Sequence, residues 1–401
     1  MKHFEIMKIQ LISSLLSIRV LENIRSRTGK YPAYAVQKFY RVLAEGFVKN
    51  GVKIDVVSNP PAFAYSKRYE NIKSDNENGV FFHYLPAFNL SIFRHISLFI
   101  NAFFTSFKFC LFEKEERVII CDTLCYSTCI GALLASKLCN TRIVGIVTDL
   151  PWLVDEEGKI NSKIRLFHAF LKCYIRKFDY YIFLTEQMNT QINIKNKKYV
   201  VIEGFANIDM QESKNSIIEK KQPKQLLYAG FLQAKYGLRM LVNAFMSLKN
   251  LDAKLVVYGT GPYSDELKEC AKADDRIEYR GLASNEEIVQ AELHASVLVN
   301  PRPTHEEYTK YSFPSKNMEY MASGTPILTT RLPGMPAEYY PYIYSFDEET
   351  TEGYARIINK IMSMSVEELH KKGTEAKAWV LKNKNNIHQC RRIINMLVNN
   401  K

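Results

Sequence analysis

The sequence predicts an α/β chain of two halves, each an open, largely parallel sheet flanked by helices. Three observations carry that expectation. Short runs rich in Val, Ile, Leu and Tyr alternate with longer helical segments, the pattern of strands joined by crossover helices. A polar stretch at 210–224, M-Q-E-S-K-N-S-I-I-E-K-K-Q-P-K, interrupts the alternation, which then starts again. The 401 residues leave room for roughly two to three domains. The expected division is a first domain over 1–209, a linker over 210–224, a second domain over 225–380, and a C-terminal helix at 381–401 that crosses back to the first.

Composition limits the partners. Hydrophobic residues make up 47% of the chain, enough for full cores. The net charge of +12 suits nucleic acid, an anionic membrane surface or phosphorylated substrates. No dense Lys/Arg run with interleaved aromatics is present, so nucleic acid is not the expected partner. Eight cysteines occur without a C-x-x-C pair, which fits a reducing cytoplasm. Cys121, Cys125 and Cys129 are spaced so as to share a helix face; metal ligation and plain burial of small apolar residues both remain open.

Lys2 and Lys8 precede I-Q-L-I-S-S-L-L-S-I. No A-x-A-like cleavage site follows, so 8–13 is expected to be a buried strand rather than part of a signal peptide. Residues 14–32 carry Arg19, Arg25, Arg27 and Lys30, a basic loop or short helix that either binds an anionic acceptor or is a solvated surface. A helix is predicted over 33–50, ended by Asn50-Gly51, then strands at 52–57 and 80–85 around a polar loop at 66–79. The stretch 90–112 is Phe-rich. The part between His95 and Lys108, which includes Ser, Asn and Thr, is too short and too interrupted for a membrane span, which needs ~20 apolar residues. It is either a buried helix or an interfacial one. Strands at 118–121 and 142–147 bracket a helix at 125–138. Thr148 and Asp149 leave the second strand at its carboxyl end, where open α/β sheets place their ligands. A helix at 161–177 and strands at 180–184 and 199–203 complete the first half.

In the second half, a strand at 225–229 runs into Gly230-Phe231-Leu232-Gln233-Ala234-Lys235-Tyr236-Gly237, followed by a helix at 238–249. Glycine after a strand permits close backbone approach to a ligand, and Lys235 can meet a phosphate as a point charge. A strand at 254–258 enters Gly259-Thr260-Gly261-Pro262, which lacks the third glycine of a dinucleotide fingerprint. Strands follow at 276–279 and 297–300, and the chain ends in helices at 351–363 and 366–400.

Residues 306–330, E-E-Y-T-K-Y-S-F-P-S-K-N-M-E-Y-M-A-S-G-T-P-I-L-T-T, read as loop, helix, turn and strand. Pro314 suits the first helical turn, Gly324 the position after the helix, and Pro326 stops continuation. Ser315 and Lys316 then flank the positive end of a helix, a place for phosphate. Glu319 lies one turn on, placed to accept hydrogen bonds from a ribose.

K-Y-S-F-P-S-K-N-M-E-Y-M-A-S-G-T-P resembles the donor-binding motif of the retaining group 1 (family-four) glycosyltransferases, especially enzymes of bacterial capsule and surface polysaccharide assembly. The resemblance is specific over about 225–330. It implies the GT-B fold, two Rossmann-like α/β domains facing a central cleft, and a hexosyltransferase that needs neither metal nor other cofactor. The donor would be a UDP- or GDP-sugar, and the acceptor a carbohydrate or a polyprenyl-diphosphate-linked sugar. By resemblance, Glu319 holds the ribose; Gly230, Lys235, Ser315 and Lys316 hold the diphosphate; and backbone groups near Leu282 meet the base. Tyr311 stands where the family has its first motif Glu, Thr148 where it has a His, and Phe231 where it has an Arg. Asp149, Thr148, Glu307 and Tyr311 are expected around the sugar, and Arg19, Arg25 and Arg27 near the acceptor. The expected location is cytoplasmic, peripheral at the inner face of the membrane. Two other readings stay open: a nucleotide-sugar epimerase of the same architecture, and a non-catalytic binding protein with a decayed fold.

Overall fold

The computed structural model describes residues 7–29, 32–64, 69–70, 72–88, 90–113, 115–153 and 161–398; Lys2 and Lys30 lie outside the described residues. The chain divides into two compact units: unit 1 is Met1–Phe205 with Asn386–Lys401, and unit 2 is Ala206–Asn385.

Unit 1 runs β1 (Met7–Ser13), α1 (Ile18–Thr28), α2 (Tyr34–Lys49), β2 (Lys53–Ser58), β3 (Tyr69–Glu70), β4 (Asp75–Glu77), β5 (Val80–Tyr84), β6 (Ala87–Phe88), α3 (Ser91–Phe112), β7 (Glu116–Asp122), α4 (Tyr126–Leu138), β8 (Arg142–Val147), α5 (Ser162–Ile175), β9 (Tyr180–Phe183), α6 (Glu186–Ile192) and β10 (Tyr199–Val201). Its eight-stranded sheet has the order β10-β9-β8-β7-β1-β2-β5-β4. Pairing is parallel except between β4 and β5. Ile9 of β1 stands between Ile54 and Val118, and all three are buried. Such strands face helices on both sides, which is why they read as near-continuous apolar runs.

Unit 2 runs β11 (Lys224–Ala229), α7 (Leu238–Ser247), β12 (Ala253–Tyr258), α8 (Ser264–Ala273), β13 (Ile277–Gly281), α9 (Asn285–His294), β14 (Val297–Asn300), α10 (Ser315–Ser323), β15 (Ile327–Thr330), β16 (Tyr344–Phe346), α11 (Thr351–Met362) and α12 (Val366–Asn383). Its six strands are all parallel, in the order β13-β12-β11-β14-β15-β16. Leu226, Leu255, Val257, Val297 and Phe245 form the centre of one core layer, and Leu227, Val256, Leu298, Met318 and Tyr339 that of the other. The last helix, α13 (Asn386–Val398), belongs to unit 1. It packs on α2 at Gly46, where a Cβ would lie 2.6 Å from the Asn386 carbonyl oxygen.

Three expectations need correction. The stretch 210–224 is no free linker. Lys220 is only 8% exposed, and its Nζ donates to the carbonyls of Leu293 (2.7 Å) and Ala295 (3.0 Å) and to Thr325 Oγ1 (3.0 Å). Those acceptors make a buried ammonium tolerable, although burial still lowers its pKa to about 8. The units therefore divide at 205/206 and 385/386, not around a segment at 210–224 and at 380/381. The helix expected over 366–400 breaks between Asn383 and Asn386, where three asparagines in four residues make a poor helix former. Finally, α3 is continuous from Ser91 to Phe112, and by length and composition its stretch Ile92–Phe112 is apolar enough to cross a membrane. One face of it is core: Leu98, Ala102, Phe109 and Cys110 are buried, and Gly131 of α4 sits so close that a Cβ there would be 2.5 Å from the Phe99 carbonyl oxygen. The other face exposes Ile92, Phe93, Ile96, Ile100 and Phe104. The buried reading thus describes one face of the helix, and the other face is exposed.

Candidate active site

An open α/β sheet offers its crevice where the strand order reverses, beyond the carboxyl ends of the strands. In unit 2 the chain builds β11, β12 and β13 outward and then returns to place β14 beside β11, so the crevice lies beyond Ala229 and Asn300. Glycines bring the loops there into backbone contact. A Cβ on Gly237 would stand 1.8 Å from the Pro301 carbonyl oxygen, and one on Gly259 would stand 1.7 Å from that of Gly230. One on Gly261 would stand 2.2 Å from that of Leu232. The G-x-G after β12 therefore seats one loop on another, and Gly230 N and Leu232 N donate to Tyr258 O (3.0 Å) and Thr260 O (2.9 Å).

α10 is fastened to the same floor. The Tyr320 hydroxyl accepts from Ala229 N (3.0 Å), and Asn300 Nδ2 donates to Asn317 Oδ1 (2.7 Å) in the interior. Lys316 lies four residues before Tyr320, hence on the same helix face. It comes to rest against Gly230: a Cβ there would meet Lys316 Nζ at 2.8 Å and the Tyr228 hydroxyl at 3.1 Å. Glycine leaves room for the ammonium in this position, and a side chain there would push it aside. Pro314 is the N-cap rather than the first helical residue, no side chain caps the helix, and its first turn holds no acid. Gly324 takes the left-handed conformation (φ 82°) after the helix, as its sequence position predicts.

Of the residues expected at the donor, Gly230 and Lys316 are thus in contact, while Ser315 is exposed and Glu319 half-buried on α10. Lys235 is exposed in the turn Ala234–Tyr236, and Leu282 is 77% exposed just beyond β13. In the turn Glu307–Tyr311, Glu307 is exposed, whereas Tyr311 is buried at 9% exposure. Sequence reasoning missed Tyr228, Tyr236, Arg302, Asn317 and Tyr320. The Arg302 guanidinium lies 4.7 Å over the Tyr236 ring. Burial pushes the Tyr228 hydroxyl up to about 12, against the pull of the nearby Arg302 charge. The available signal was N-P-R-P directly after a strand.

Unit 1 reverses its strand order between β1 and β7. Thr148, half-buried, and Asp149, exposed, follow β8 next to β7. Asp122 ends β7, 3% exposed, and accepts from Leu124 N at 3.0 Å. Burial pushes its carboxyl up to about 6, the hydrogen-bonding Leu124 N, Tyr40 hydroxyl and Cys125 thiol oppose this, and the Asp149 charge adds to the rise. Arg19 is engaged within the chain: its Nε holds Asp75 Oδ2 at 2.7 Å, and Nη2 donates to the Lys73 carbonyl. Arg25 and Arg27 are exposed in the last turn of α1, where they also face the negative end of the helix dipole. Cys121 and Cys129 are buried and Cys125 half-buried, and all eight cysteines are free. Among the described residues no group of three or more His, Cys, Asp or Glu side chains is placed to hold a metal.

Residues 223–363 match the family described as Glycosyl transferases group 1, a stretch that contains the whole crevice of unit 2. No curated protein matches the sequence. Solved structures resemble it over nearly its full length. HepE of Anabaena in complex with UDP is 13% identical with a TM-score of 0.61, covering 98% of this chain and 100% of its own. A glycosyltransferase of Rickettsia africae is 13% identical with a TM-score of 0.66, covering 98% and 99%. Sucrose-phosphate synthase of Thermosynechococcus elongatus is 15% identical with a TM-score of 0.67, covering 98% of each chain. At such identities the likeness speaks for the fold, and the family match speaks for unit 2. Together they give unit 2 a group 1 glycosyltransferase domain and the chain the GT-B fold of a glycosyltransferase enzyme.

Proposed function

We propose that unit 2 binds a UDP- or GDP-sugar and that the chain transfers the sugar, with retention of configuration, to a hydroxyl of an acceptor held by unit 1. The acceptor is a carbohydrate or a polyprenyl-diphosphate-linked saccharide of a capsule or other surface polysaccharide. The observation that carries the reading is the Lys316 ammonium laid on Gly230 at the uncapped start of α10. The complex of HepE with UDP-glucose, on a similar fold, supports the donor class. In this reading Lys316, Ser315, Lys235 and the helix dipole stabilise charge developing on the departing diphosphate. Glu319 orients the ribose, and backbone near Leu282 meets the base. Thr148, Asp149, Glu307 and Tyr311 face the sugar, and Arg25 and Arg27 attract the anionic acceptor. No D-x-D element ends a strand, and the cations take the charge role, so turnover is expected to survive EDTA. Loss on EDTA and recovery with Mg²⁺ or Mn²⁺ would contradict that part.

Calorimetry with a panel of UDP- and GDP-sugars, followed by product detection, tests the whole. Heat with one nucleotide class and a glycosylated product is expected. An isomerised sugar without transfer would instead favour the epimerase, binding without any product the non-catalytic protein, and no heat from any nucleotide sugar would end the proposal.

A further inference from the structure

The crevice of unit 2 is flanked by two strand ends, those of β11 and β14. On the β14 side, Pro301 and Arg302 follow Asn300 directly. Their backbone is fixed. The Tyr354 hydroxyl donates to Pro301 O at 3.1 Å, Gly237 packs on that same carbonyl, and Thr330 Oγ1 donates to Arg302 O. The Arg302 side chain therefore leaves from a held point. Its guanidinium is steadied 4.7 Å over the ring of Tyr236, which belongs to the loop after β11. Lys316 Nζ and the Tyr228 hydroxyl lie within contact of one point above Gly230, and the Arg302 charge acts on that same hydroxyl. Among the described residues no carboxylate pairs with Arg302. A half-buried guanidinium held by an aromatic ring, beside an ammonium and a helix start without a side-chain cap, is a cationic constellation of the kind that receives phosphate.

We propose that Arg302 is a ligand of the donor's diphosphate, placed to take two phosphate oxygens at once while Lys316 and the start of α10 take the others. The assignment rests on the nucleotide-sugar reading of unit 2. It makes Tyr236 a positioning residue, acting through Arg302. Guanidinium and ammonium differ here: the planar fork can grip two oxygens, whereas a lysine offers a point charge.

The test is calorimetric titration of the full chain with UDP, GDP and their nucleosides, on the wild type, Arg302→Met and Arg302→Lys, with thermal unfolding as a folding check. Arg302→Met is expected to weaken binding of the nucleoside diphosphate about 10- to 100-fold, as loss of a charge-assisted contact implies, and to leave nucleoside binding unchanged. Arg302→Lys should fall between. Tyr236→Leu should weaken the diphosphate in the wild-type background and have little effect in Arg302→Met. Diphosphate affinities equal to wild type in both Arg302 variants would overturn the assignment while leaving the donor site in unit 2 intact. Equal losses for nucleoside and diphosphate would also overturn it, since Arg302 would then act on the base or the fold. A wild type that binds neither nucleotide would remove the donor reading and this assignment together.

Discussion

The same topology carries opposite chemistry at the two places where strand order reverses. In unit 1 two helices start there: α4, like α10, has no side-chain cap, but α1 is satisfied by its own chain. Ser17 Oγ accepts from Val20 N at 3.3 Å, and a carboxylate oxygen of Glu77 accepts from Ile18 N at 2.7 Å. The nearest strand end carries Asp122, buried and inclined to keep its proton. In unit 2, α10 starts without a side-chain cap or an acid, and Lys316 lies across Gly230 with Arg302 on the facing strand end. Unit 1 supplies α1 with an internal anion; unit 2 sets cations beside the start of α10. That difference supports the proposal that unit 2 takes the diphosphate, which sheet order alone does not decide.

The contrast can be broken first at the backbone. The floor of unit 2 depends on Gly237, whose φ is 82° and whose Cβ would collide with Pro301 O. Gly237→Ala should cost roughly 3 kcal/mol or more, because left-handed strain adds to a clash that backbone must relieve. Gly281 has a positive φ of 69° but nothing within 4 Å, so Gly281→Ala should cost only about 1–2 kcal/mol. Denaturant unfolding would separate them. Equal midpoints would mean that the loops are not in contact.

The next largest effect belongs to unit 1 and is read by pH. The Asp122 carboxyl is raised from 3.8 to about 6 in the fold. A raised carboxyl contributes stability that is complete below the unfolded value and lost as pH climbs through the folded one. Between about pH 4 and 6 the wild type should therefore lose up to about 3 kcal/mol from this group. Asp122→Asn should lack that slope, and parallel pH profiles for the two proteins would show that Asp122 ionises freely.

Ligand binding sharpens the comparison further. Lys316→Ala should weaken a nucleoside diphosphate about 10- to 100-fold, and the exposed Lys235 should matter less. Arg19→Ala should leave the same dissociation constant unchanged, since Arg19 serves Asp75. Unchanged binding in Lys316→Ala, or a loss in Arg19→Ala, would reverse the assignment of the two units.

Much of this was legible in the sequence, for a physical reason. Buried parallel strands are uninterrupted apolar runs, so 142–147, 297–300 and 327–330 coincide with β8, β14 and β15. The places of Lys316, Glu319 and Gly324 on α10 and its cap were legible because a helix start and its cap are local chemistry. Helices α8 and α9 escaped because they bury almost nothing apolar: α8 buries Leu267, and α9 buries Leu293 beside Glu292. Arg302 and Tyr236 escaped for a different reason. They meet only because β14 returns to the side of β11, and sheet order is not written in any local stretch.

The smallest expected effect concerns a surface rather than a pocket. α3 exposes Ile92, Phe93, Ile96, Ile100 and Phe104, and α5 exposes Leu166, Phe167 and Phe170 beside the exposed Lys163 and Arg165. An apolar hollow of about 500 Å³ lies among them, lined by Ile96, Phe99, Ile100, Tyr126, Ile130 and Phe170. Exposed aromatics flanked by cations suit the interface of an anionic bilayer, where the apolar face enters and the basic groups stay with the headgroups. Each basic group adds ~1 kcal/mol, and that attraction decays over a Debye length of about 10 Å at 0.1 M salt. Flotation with phosphatidylglycerol-containing liposomes should carry the protein upward at low salt and release most of it at high salt. Phe93→Ser with Phe104→Ser should float less at every salt concentration, while nucleotide binding by unit 2 stays as it was. Protein absent from the lipid fraction at low salt would reject the membrane surface and leave the transferase untouched. Flotation that resists high salt would point instead to insertion of the continuous apolar helix α3.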